Sequence, residues 1–173
     1  CAAMLLSFAP TAMADGIVFS DVPKDAWYYE DVYNAVRLGI INGKTKTTYA
    51  PDDNLTYAEA IKLAACMYQL YKDGQVLIVP GGEPWYQVYV DYAQRNGILP
   101  DGFAVSSRPA NRAELAYFFA HALPSYELRA INNVTDLPDV TGNNLYSDSI
   151  FKLYNAGVLM GSDEIGTFKP GHG

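Results

Sequence analysis

Cysteine is nearly absent from this 173-residue chain, which has only Cys1 and Cys66. That excludes a disulfide scaffold and any zinc site of the CxxC type. Long hydrophobic runs are missing too, and no apolar stretch reaches the roughly 18 residues of a membrane-spanning helix. Charge is sparse at 18%, and basic charge sparser: 12 lysines and arginines against 19 acids give a net charge of −7. An acidic chain of this kind does not bind nucleic acid or anionic lipid non-specifically. The two histidines, His121 and His172, form no cluster. The chain holds no GxSxG, HExxH or phosphate-loop motif. We therefore expect no catalytic residues, no metal and no cofactor. Paired carboxylates of the glycosidase kind leave no spacing signature, so an enzyme reading rests on them alone.

Half of the chain is hydrophobic, and 14 residues are tyrosine. That composition is globular, and the length allows a sizeable core. Tyrosine-rich surfaces suit sugars or protein partners, although core packing also uses them. Residues 1–14, CAAMLLSFAPTAMA, are uncharged and end in Ala12-Met13-Ala14. This pattern is the back half of a secretory signal, with cleavage expected after Ala14. A buried N-terminal helix is the competing reading. Cys66 falls in a helical apolar pattern and is expected to be a core residue.

The sequence repeats itself. Trp27-Tyr28, Trp85-Tyr86 and Leu145-Tyr146 stand 58 and 60 residues apart, and a glycine follows each start by 12 residues: Gly39, Gly97 and Gly157. Two aliphatic residues follow every glycine. Tyr49-x-Pro51 and Phe168-x-Pro170 come next in the first and third segments. Ahead of these segments stand Phe19-Ser20-Asp21-Val22 and Leu137-Pro138-Asp139-Val140. Each start opens a helix that the glycine stops. Thr56-x-x-Glu59 and Asn111-x-x-Glu114 read as capping boxes that begin a second helix. Residues 72–83 and 124–136 read as joints, with a short extended piece at Val76–Val79. One such helix pair cannot bury its apolar faces alone, whereas stacked copies can.

In sequence order, these motifs resemble the S-layer homology family. The resemblance covers residues 19–173 and organises the chain as a signal remnant (1–14), repeat one (15–72), a degenerate repeat two (73–124) and a truncated repeat three (125–173). It implies a mainly α fold of tandem helix–loop–helix repeats, packed as a pseudo-threefold helical prism that stays open without its last helix. It also implies an exported bacterial protein that anchors non-covalently to the cell wall. The partner is then a secondary cell-wall polymer, an acidic and often pyruvylated glycan attached to peptidoglycan. Neither nucleic acid nor, after signal cleavage, membrane is an expected partner. Self-association of the full-length protein stays open.

The family's T-R-A-E arginine, a key contact to the acidic group, corresponds to Arg112. A guanidinium grips a carboxylate through two parallel hydrogen bonds. Repeat one has Tyr57 there instead, which puts its groove in doubt. Further ligand candidates are Arg108, Lys44 and Lys46 in the loops. Trp27 and Trp85 are also candidates, as sugar-stacking rings or as wedges at the helix base. Asp21, like Asp139, either caps the first helix or its approach turn, or meets ligand. Two rival functions remain: a helical protein–protein module, and the anchor fragment of an exported wall or polysaccharide hydrolase.

Overall fold

A computed structural model of the chain describes residues 16–142 and 146–172. The signal remnant, Cys1 and Leu145 lie outside the described residues. Five helices follow in order: α1 (Tyr29–Arg37), α2 (Tyr57–Asp73), α3 (Gln87–Arg95), α4 (Arg112–His121) and α5 (Ser147–Asn155). Among the described residues pairing is limited to two isolated bridges, Thr56 with Pro109 and Leu137 with Val140. The protein is mainly α.

α1, α3 and α5 are nine residues each and begin two residues after Trp27, Trp85 and Leu145. All three stop in the same way. Gly39, Gly97 and Gly157 take φ of 74°, 71° and 73°, a left-handed conformation that side chains resist. The next two amides then donate back to a single carbonyl, that of Ala35, Ala93 or Leu153. α2 and α4 begin differently, each on a complete capping box. Thr56 Oγ1 accepts from the Glu59 amide while Glu59 accepts from the Thr56 amide, and Asn111 and Glu114 do the same. No strand forms at Val76–Val79. Instead the amides of Leu77 and Ile78 donate to Oε1 of the buried Gln69, at 2.7 and 3.0 Å.

The chain divides into two compact units that meet in sequence at Asp52 and Asp53. In the first, Phe19 and Val22 join Val32 and Val36 of α1 in a small core, with Tyr33, Ile41 and Tyr49 packed on it. Asp21 points the other way along the chain. Its carboxylate accepts from the amides of Tyr49 (2.8 Å) and Ala50 (2.7 Å) and so pins the turn before Pro51. Ala50 is thereby held at φ 61°.

The second unit repeats this device. The Asp139 carboxylate accepts from Phe168 (2.8 Å) and Lys169 (2.6 Å), and Lys169 sits at φ 59° before Pro170. Leu137, Val140 and Phe168 are buried with Ile150, Leu153 and Tyr154. α2 packs on α3, α4 packs on α5, and α2 also meets α4. Their facing surfaces are rich in alanine (Ala60, Ala64 and Ala65 on α2, Ala113, Ala116 and Ala120 on α4), which lets helices approach closely. These pairs cross the repeat boundaries expected at 72/73 and 124/125: the second helix of one segment packs on the first helix of the next.

Candidate functional site

The second unit places two arginine–aromatic contacts where a helix N-terminus meets the following loop. At the start of α4, the Arg112 guanidinium lies over the Phe168 ring, 4.7 Å from its centroid. Its Nε donates to the Phe168 carbonyl at 2.7 Å, and Nη2 reaches the Met160 carbonyl at 3.4 Å. The backbone binds the same loop, since the amides of Arg112 and Ala113 donate to the carbonyls of His172 and Pro170. Carbonyls are neutral acceptors. Among the described residues no carboxylate pairs with Arg112, so its positive charge is not cancelled.

At the start of α2 the two partners have changed places. The helix carries the ring, Tyr57, and the loop carries the arginine, Arg108, whose guanidinium carbon is 5.0 Å from the ring centroid. The backbone contact is again present, with the Tyr57 amide donating to the Arg108 carbonyl at 3.0 Å. Here, however, Arg108 forks onto Glu114, with Nη1 to Oε2 at 2.9 Å and Nη2 to Oε1 at 2.5 Å. The Arg108 side chain is 52% exposed and that of Glu114 only 5%. Burial works against the Glu114 charge, but hydrogen bonds from Arg108 and the Asn111 amide outweigh it and hold the carboxyl below its ordinary range.

Tyr57 is buried. Its ring stacks on Phe103 and meets Phe118 edge-on. Burial foremost pushes its phenol up to about 12. It offers no open face to a sugar. Phe103 belongs to no repeated motif, and its sequence signal is its place as the lone aromatic between Gly97 and Glu114.

The remaining candidates fall elsewhere. In the first unit, Lys44 and Lys46 are exposed and line a cleft of about 460 Å³ with Ile17, Phe19, Gly43 and Thr45. The Asp21 carboxylate is engaged by its turn, which, with hydrogen bonding from Tyr49 and Ala50, holds it below the ordinary carboxylate range. The two tryptophans differ. Trp27 is 88% exposed and touches Tyr28 edge-on, whereas Trp85 leans on Tyr86 and Tyr89. A wedge describes Trp85 better than Trp27. Cys66 is buried, and burial raises its thiol to about 11, so it is an unreactive core residue. Among the described residues no three His, Cys, Asp or Glu side chains are grouped to hold a metal ion. Nor is any described helix long and apolar enough to cross a membrane.

The S-layer homology domain matches residues 18–61. The chain is 30% identical over 149 residues to the surface-layer 125 kDa protein of Lysinibacillus sphaericus, which covers 80% of this chain and 12% of that protein. It is 28% identical over 168 residues to the S-layer protein sap of Bacillus anthracis, covering 94% of this chain and 20% of that protein. The chain thus spans a fifth or less of these relatives' lengths. Residues 18–61 belong to the S-layer homology domain family, and the chain is accordingly assigned to exported proteins anchored at the bacterial cell surface.

Proposed function

We propose that the chain anchors its parent protein by binding an acidic secondary cell-wall polymer, without catalysis, and that Arg112 grips the acidic group. The observation that carries this reading is the state of Arg112. Its guanidinium sits over the Phe168 ring and is steadied by two carbonyls, yet its charge is not cancelled by any described carboxylate. A preorganised cation loses little freedom when a carboxylate arrives. The negative charge of the whole chain repels an anionic polymer, so attraction is local to such a cation. Lys44 and Lys46, beside their cleft in the first unit, are the second basic candidates.

The test is a pull-down with purified walls before and after chemical removal of the secondary polymer. Retention by intact walls and release from stripped ones is expected. Equal retention by both would favour the protein–protein reading, for which the exposed apolar side chains of Ile131, Met160 and Ile165 are the supporting feature. Release of soluble wall glycan over time would replace both with an enzyme.

A further inference from the structure

Arg108 and Arg112 occupy mirrored settings and end in opposite electrostatic states. Each guanidinium lies on an aromatic ring at a helix–loop joint. Arg112 donates to carbonyls. Arg108 already holds a carboxylate in a two-point grip, the arrangement an acidic ligand would adopt. We propose that Glu114 is a built-in occupant of a second carboxylate-binding fork, and that it keeps Arg108 closed to acidic ligands. The proposal rests on the acidic-polymer reading for its ligand class only.

Two features make the occupant hard to displace. Glu114 is nearly fully buried, and its Oε2 also accepts from the Asn111 amide at 2.9 Å. Swinging away from Arg108 would bury an unpaired carboxylate or undo the start of α4. An incoming carboxylate would also meet the charge of Glu114 directly. The Arg108–Glu114 pair beside the start of α2 is therefore neutral in itself, and tyrosine in the family's arginine position is part of the same arrangement: the guanidinium comes from the loop before α4 and is paired there.

Glu114→Gln separates the two duties of this residue. Glutamine serves a capping box as well as glutamate does, but it has no charge to hold Arg108. Arginine Nε–Hε resonances of the ¹⁵N-labelled chain would be followed during titration with glucuronate at pH 7. In the unaltered chain the Arg108 resonance should stay still. In Glu114→Gln it should move and saturate, with an affinity within tenfold of that at Arg112. Movement of Arg108 in the unaltered chain, or no movement in a folded Glu114→Gln chain, overturns the proposal. If Glu114→Gln fails to fold, Arg108→Ala decides. Wall retention within threefold of the parent supports a closed fork, and a larger loss in an Arg108→Ala chain whose melting temperature is unchanged refutes it. A still Arg112 resonance would instead count against the proposed function, while the behaviour of Arg108 in Glu114→Gln would still decide this inference.

Discussion

Arg108 and Arg112 lie four residues apart, yet among the described residues only Arg108 is paired with a carboxylate. Arg112→Ala should remove a two-point contact to the acidic group, at a cost of about 2–5 kcal/mol in polymer binding if the pair is largely desolvated. Arg112→Lys should not recover it, because an ammonium lacks the planar fork. Wall affinity measured beside melting temperature checks this, since a folded Arg112→Ala chain that binds like the parent defeats the assignment. Carboxylates set the behaviour in acid. Glu114 and Asp21 are both held below their ordinary values, 4.5 and 3.8. Their contributions are complete above those values and fade as the pH falls through the lower folded ones. Melting temperature should therefore be flat on this account above about pH 5 and should drop below about pH 4. Ala50 illustrates a residue placed against its preference. Its left-handed φ disfavours any side chain, so Ala50→Gly should raise unfolding free energy by about 1 kcal/mol in a denaturant titration.

The helices were legible wherever the signal was local. Glycine stops, both capping boxes and the Tyr49-x-Pro51 and Phe168-x-Pro170 turns are short patterns whose cause lies within a few residues. Asn111→Ala accordingly should cost about 1 kcal/mol of stability through the lost cap, and should weaken wall binding only to the extent that it unfolds α4. What sequence could not supply was the neighbour of each element. Asp21 was left between ligand contact and capping, because the turn it clamps lies 28 residues away. Tyr57 read as a degraded ligand position, and only the approach of Phe103 and Arg108 shows that its ring is enclosed. The Glu114 capping role was readable from Asn111, three residues before it, but the salt bridge was not, since nothing in the spacing says that Arg108 turns back towards the helix.

Across the whole chain, the sequence repeat and the packing unit are out of step. The repeat runs from a first helix to a second, while α2 packs on α3 and α4 on α5. Residues 53–173 contain both of these pairs and form a compact unit by themselves. Expressed alone, this segment should keep the helical circular dichroism expected of α2 to α5 and melt in one cooperative step. A helix-poor or non-cooperative segment would refute its independence. The joint at α4 also has a consequence for the order of events during secretion. The carbonyl that receives the Arg112 Nε belongs to Phe168, 56 residues further on, and the one that receives its backbone amide belongs to His172. A chain threaded outward from its N-terminus delivers α4 well before those acceptors emerge. The first turn of α4 therefore waits, capped only by Asn111 and Glu114, until the third loop has left the export channel. The joint around Arg112, to which wall binding is ascribed above as a proposal, is among the last parts of this segment to be completed, after most of the segment is already outside the cell.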